Sequence, residues 1–466
     1  LKQISRTRQI PAGYGTEYFV DTITVPHLIR VKFADFIHLY TRFIHKLLPL
    51  FIVFSSWMGT VMAQANSVNY DYNYSPDIRS VVWTPAGRLT FPVLYLNSDQ
   101  PLQMTFDDLT GDFKYYKYRI VQCDANWQPS SLSELEYIDG LNDIEIRQYA
   151  YSVNTRQNYT RYQFSFPNAD ISLTKSGNYL VHVYREDDNE LILTRRFIVA
   201  EMNFALKAEF ELLQGIFDKQ TEQKIKCSAS SDASYTDPYN QVKLLVLQNG
   251  NWFSGEMLPP RTVVGSTLSF DYPDKPVFKG LKEFRALDTR SLRHPKFMIE
   301  NLERYNDGTQ VFLRTDVPRA GKMNLSYPDL NGNFIFENFD NPLDTMNIDY
   351  VNVHFYFKSP KLTNDVFVVG AFNNWGRAAG TTAMKYDATR GYYEGEILMK
   401  QGYYDYMFAE SKNGKLDFTN TEGSSYETAN NYQCILYYRK FGDRYDRIVA
   451  YQQIGLPISG DVQRDE

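Results

Sequence analysis

Strict alternation is the property that most limits what this chain can become. In Val351-Asn352-Val353-His354-Phe355-Tyr356-Phe357 every second side chain is apolar, a period of two that suits a half-buried strand and no helix. Similar short segments recur between turn signals from about Asn69 to Asp446, and 36 Tyr and 31 Phe supply residues that fit pleated surfaces. An all-β fold of tandem immunoglobulin-like or early-set β-sandwiches is expected. An outer-membrane barrel would alternate too. However, the chain ends Gln463-Arg464-Asp465-Glu466 rather than in an aromatic strand, and its loops are irregular and polar with no lipid-facing band.

The start of the chain carries a second signal. Leu47-Leu48-Pro49-Leu50-Phe51-Ile52-Val53-Phe54 follows Arg42, His45 and Lys46 and precedes Val61-Met62-Ala63-Gln64-Ala65. A basic head, an apolar middle and a small-residue exit are the parts of a secretory signal peptide. The unbroken apolar run is shorter than the roughly 20 residues that cross a bilayer, so a cleaved signal is preferred to an anchor. Cleavage is expected after Ala63, leaving Gln64 first, or after Ala65. No Cys follows to take a lipid. The chain opens on Leu1 rather than Met, and residues 1 to about 40 read as an over-extended start, so residues 1–63 are set aside from the fold.

Residues 1–63 hold seven Lys/Arg and three Asp/Glu, so the net charge of −6 becomes −10 without them. Such a balance repels phosphate backbones and anionic lipid, which argues against nucleic-acid and membrane-surface partners. Roughly 400 residues exceed one ordinary core, and two to four domains are expected. Cys123, Cys227 and Cys434 are widely spaced and odd in number, in no metal-knuckle or redox pattern, and are expected as buried free thiols.

Three β units follow from the pattern. Residues 69–200 read as one sandwich, with strands at Arg88 to Leu96, Leu102 to Phe106, Tyr115 to Val121, Tyr159 to Phe166, Tyr179 to Tyr184 and Leu191 to Val199. Residues 201–341 form a second, closing on a hairpin in which Met323 to Tyr327 and Phe334 to Glu337 flank Leu330-Asn331-Gly332-Asn333. Asn-Gly supplies the two positive-φ positions of a tight turn. Residues 348–446 form a third, and 447–466 a tail. Asp329, Asn331 and Asn333 also place oxygens at alternate positions like the start of a calcium loop. The sixth position is Phe334 where Gly is wanted, and the twelfth, Asp340, lacks the rest of the set, so no metal is expected.

Chemistry is hard to place. His182, His294 and His354 remain after the signal and sit near no other His or Cys; no nucleophile elbow, zinc-protease helix or phosphate-cradling Gly loop occurs. Acids such as Asp107-Asp108 and Asp187-Asp188 suit solvated loops, and a glycosidase pair is defined by a spatial distance that sequence does not give. No enzyme and no cofactor are expected.

Resemblances sharpen this. Tyr116-Lys117-Tyr118-Arg119-Ile120, Asp124-Ala125-Asn126-Trp127 and Ser176-Gly177-Asn178-Tyr179 resemble tyrosine-rich sensor domains of the immunoglobulin-like fold, which implies that Trp127 packs over a core edge. Asp365 to Trp375, with Phe372-Asn373-Asn374-Trp375, and Leu398 to Phe408 resemble the glycogen-binding module family. In that family an exposed indole stacks on sugar, and a second Trp completes the platform; here that second region reads Asn413-Gly414-Lys415-Leu416. Phe372, Asn373, Asn374 and Trp375 are thus the candidate ligand or interface residues, with carbohydrate disfavoured.

Across nearly the whole exported chain, further phrases resemble one family. They include Phe106-Asp107-Asp108-Leu109, Cys123 to Ser130, Val153-Asn154-Thr155, Phe166-Pro167-Asn168, Thr194-Arg195-Arg196-Phe197, Glu283-Phe284-Arg285, Thr421 to Asn430 and Arg444-Tyr445-Asp446-Arg447. These are similar to the type IX secretion system plug protein family of Bacteroidetes. The resemblance implies a soluble, non-enzymatic periplasmic protein that closes the periplasmic mouth of the outer-membrane translocon barrel. The rival is a carbohydrate-binding accessory protein.

Overall fold

The computed structural model describes residues 69–455 apart from 87, 212–219, 233–234, 307 and 379–380. The apolar segment Leu47 to Phe54 and the cleavage residues Ala63, Gln64 and Ala65 lie outside the described residues. The regular structure of the described chain is nearly all strand, broken only by short helical turns.

One sheet of ten strands is the backbone of the fold. It runs in order Glu256–Leu258, Val242–Gln248, Asn431–Tyr438, Arg447–Gly455, Leu191–Ala200, Gly177–Arg185, Tyr116–Cys123 and Ile144–Glu145, with Tyr72–Asn73 and Val93–Tyr95 added on Leu191–Ala200. Four strands, Ile78–Pro85, Leu102–Asp108, Thr160–Phe166 and Gln148–Tyr151, cover one half of it. Tyr116, Tyr118 and Ile120 alternate inward from the large sheet to meet Met104, Phe106, Tyr162 and Phe164, and Tyr118 stacks on Phe164 at 4.2 Å. A five-stranded sheet built on Glu222–Ser230 covers the other half, closing a second core around Ile225, Val246 and Leu436. The two sandwiches therefore share a sheet, joined where Ala200 pairs in parallel with Ile448.

The third sandwich packs Ile299–Tyr305, Gly308–Leu313, Tyr350–Phe357, Tyr392–Lys400 and Lys385–Asp387 against Gly402–Lys412 and its neighbours. Its limits differ from the expected 348–446. Arg285–Asp288 and Gly308–Leu313, assigned to the second unit, pair with Gly402–Lys412 and Tyr350–Phe357. Asn431–Tyr438 closes the second sandwich instead, and residues 447–455 of the expected tail are its Arg447–Gly455 strand. The third sandwich is an insertion in the second. Alternation reports that a strand has a buried face, but the sheet it joins is set by a partner that can lie anywhere in the chain.

The expected hairpin is also corrected. Asn331 (φ 53°) and Gly332 (φ 86°) do make the tight turn, closed by Asn333 N–H to the Leu330 carbonyl at 3.2 Å. Yet Phe334–Phe336 pairs with Gly402–Tyr404, while residues 323–327 form no strand. A buried Lys282 ammonium holds that segment by donating to the carbonyls of Arg319, Lys322 and Met323. The two carboxylates of the calcium-like set are spent on backbone N–H groups: Asp329 accepts from Phe284 and Asn331, and Asp340 from Leu292 and Arg293.

All three cysteines are free and buried. Cys227 and Cys434 meet across the second core with their sulfurs 3.9 Å apart.

Candidate functional site

The Phe372–Trp375 loop leaves the Val366–Val369 strand through a 3-10 turn over Ala371–Asn373. Asn373 holds it: its Oδ1 accepts from the Gly370 and Gly376 N–H groups at 3.1 Å each, and its Nδ2 donates to the Val368 carbonyl at 2.8 Å. Asn374 and Trp375 then follow at φ 51° and 56°. This strained path turns the indole inward. Trp375 is 6 % exposed, edge-on to Phe284 at 5.9 Å and packed with Leu281, Val369 and Met407. Phe372 lies edge-on to Tyr404 at 5.7 Å. An indole so placed presents no open face for a sugar ring. Asn413 and Gly414 form the two-residue turn between Gly402–Lys412 and Lys415–Asp417.

These four residues form one wall of a cavity of about 510 Å³ that all three sandwiches line. The first sandwich contributes Arg79, Trp83, Arg195 and Arg196, and the second Trp252 and Gln433. A register shift between Arg79 and Val82 bulges the Ile78–Pro85 strand, with Ser80 at φ 52°. Bulges of this kind re-aim side chains beside sites. Ser80, Asn249, Asn331, Asn374 and Trp375 are five non-glycine residues of positive φ on this one cavity, so backbone strain gathers here.

The electrostatics of the wall are cationic. Arg195 donates to the Tyr72 carbonyl and to Asn73 Oδ1, and Arg196 donates to the Asn69 carbonyl and lies 4.4 Å over the Trp127 ring. Burial lowers the pKa of both guanidiniums, with Asp71 opposing. Burial likewise raises the Asp71 carboxyl, and Arg195 and Arg196 pull it back down. Trp127, in turn, is buried edge-on to Trp252 at 4.9 Å, where the first two sandwiches meet. Asn374 Nδ2 reaches across to the Asp71 carbonyl, tying the third sandwich to the first.

Behind the cavity lies a buried polar seam. Lys400 of the third sandwich pairs with Asp107 of the first, their side chains 0 % and 1 % exposed. Tyr350 donates to Asp107 at 2.8 Å, Arg161 Nε at 3.1 Å, and Ser80 Oγ lies 2.6 Å from the Tyr350 hydroxyl. Burial lowers the Lys400 ammonium to about 7 despite the pull of Asp107. His182, His294 and His354 are not brought together, and among the described residues no group of three or more His, Cys, Asp or Glu is placed to hold a metal. The alternation rule missed Arg79 and Trp83 because the bulge breaks the period of two. Lys400 was missed because its partner lies 293 positions away.

A tandem sandwich protein with a cavity at the junction of its domains is the class that fold and site define. Residues 78–201, the first sandwich, match the type 9 secretion system plug protein 1st domain. A crystal structure of a hypothetical protein from Parabacteroides merdae is 28% identical with a TM-score of 0.78, covering 83% of this chain and 99% of that one. Dimeric latent PorU from Porphyromonas gingivalis covers 82% of this chain and 34% of that one at 10% identity and a TM-score of 0.13, too unlike in shape to bear on function. No curated protein matches.

Proposed function

We propose that this chain is an exported, non-enzymatic plug that binds the outer-membrane translocon barrel of the type IX system and closes its periplasmic mouth. The observation that carries the proposal is the match of residues 78–201 to the plug first domain, a match that points to no enzymatic family. The architecture suits the task. A shared ten-stranded sheet and a buried ion pair across the first and third sandwiches make a body that resists deformation, and closing a wide pore requires area rather than a pocket. Among the described residues no helix is long and apolar enough to cross a membrane.

The test is affinity capture of the tagged chain from its own envelope, together with a deletion strain. Recovery of a barrel protein, and a deletion strain that still secretes but admits large hydrophilic antibiotics or dyes, are expected. No barrel partner and no gain in permeability would overturn the proposal.

A further inference from the structure

The cavity at the junction of the three sandwiches has a donor surplus that the protein does not satisfy. Arg79 lines it, and among the described residues its guanidinium makes no hydrogen bond or ion pair; its Nε is buried without a partner. Trp83 also lines it, is 6 % exposed, and carries an indole N–H that is buried and unpartnered. Buried donors left unmade are costly, and where they face a cavity they mark what the cavity takes in.

The charge count has the same sense. Arg195 and Arg196 share the single carboxylate of Asp71, and Lys400 is committed to Asp107, so the wall carries an excess of positive charge, to which Arg79 adds a guanidinium with no ion-pair partner among the described residues. The other carboxylate on the wall, Glu396, is exposed, at the solvent side. Acceptors and donors for hydroxyl groups are present as well. The side-chain amides of Asn331 and Asn431 line the cavity and find no partner among the described residues. Phe372 and Phe91 add ring surface. A volume of about 510 Å³ lies within the range of small-molecule sites. Positive-φ backbone concentrated on the wall is the strain expected where a fold shapes a site rather than only a core.

We propose that this cavity binds a small polyhydroxylated ring carrying one oxyanion, a sugar phosphate or sugar acid, with the oxyanion held by Arg79. Guanidinium offers the forked donor geometry that phosphate and carboxylate share, free amides meet ring hydroxyls, and the aromatic rings cover the apolar face of the ring. This site is separate from the proposed plug function, and either can fail without the other.

The test is isothermal titration of the exported chain with glucose 6-phosphate, glucuronate, glucose and inorganic phosphate. Saturable one-site binding of at least one of the two acids is expected, at least about 10-fold tighter than glucose or inorganic phosphate; which acid binds separates the phosphate source from the carboxylate. Arg79→Gln, which removes no hydrogen bond or ion pair among the described residues, should weaken that binding roughly 10- to 100-fold while the melting temperature stays close to that of the parent. Asn331→Asp keeps a residue that tolerates positive φ and places a negative charge on the wall, so it should weaken binding by a similar factor. The proposal is overturned if neither acid binds at about 10 mM, if inorganic phosphate alone binds as tightly as the acids, or if both variants bind like the parent.

Discussion

Replacing Asp107 by Asn tests how the first and third sandwiches are held together. The carboxylate is 1 % exposed and faces two cations, Lys400 and Arg161. Without that charge the Lys400 ammonium keeps the Tyr159 ring at 3.6 Å, the Tyr350 ring at 5.3 Å and the charge of Asp349, and a neutral amide oxygen stands where the carboxylate was. Breaking a buried pair by removing one partner costs about 3–5 kcal/mol. Lys400→Met should cost less, because Arg161 and Tyr350 still satisfy Asp107. In the double variant the two losses overlap, so a coupling of about 1 kcal/mol or more is expected. Urea unfolding followed by tryptophan fluorescence at neutral pH should rank the parent above Lys400→Met, and Lys400→Met above Asp107→Asn, with the double variant near Asp107→Asn rather than at the sum. The pH dependence has a definite sign. Burial holds the folded-state lysine at about 7, below its unfolded value of about 10.4. Between these values the unfolded chain binds more protons, and this group adds stability as pH rises. Lys400→Met should abolish that rise. An Asp107→Asn variant that unfolds with the parent, or strictly additive losses, would refute the argument.

Burial, then Asp329, pushes the Asp405 carboxyl up to about 7, so its contribution is fully present below about pH 4 and lost as pH rises through about 7. Asp405→Asn, which can still accept from Leu330 and Gly332 N–H, should remove much of this loss and melt higher than the parent at pH 8 but not at pH 5; melting curves at the two pH values decide it. Trp375→Ala should destabilise by about 3–5 kcal/mol, as loss of a buried aromatic does, and an unchanged melting temperature with lost glucan retardation in affinity electrophoresis would restore the sugar-platform reading. Burial, reinforced by Asp124, raises the Cys123 thiol to about 12, and the Cys227 thiol, then burial, raises that of Cys434. A thiol reagent should therefore label the native protein slowly and all three cysteines once urea is added; rapid labelling of the native chain would contradict this.

What the sequence determined by itself was the material of the fold. Period-two alternation in Tyr116–Cys123 and Tyr350–Phe357 marks one face of each strand for burial wherever the strand goes. The Asn331-Gly332 turn was equally legible, since positive φ selects those residues locally. The family phrases around Cys123 to Ser130 and Thr194 to Phe197 fall inside the matched residues 78–201. Tertiary structure decided everything that depends on a distant partner. Phe334–Phe336 joined Gly402–Tyr404 rather than its near neighbour, and Arg447–Gly455 returned to complete a sandwich begun at residue 205. Asp107, one of many acids in the text, became the buried counter-ion of Lys400, and Arg79 became a cation on a cavity wall through a bulge that hides it from any periodic rule. Backbone preference and side-chain polarity act over a few residues, whereas sheet membership, ion pairing and cavity shape are set by which surfaces the packed chain leaves facing each other.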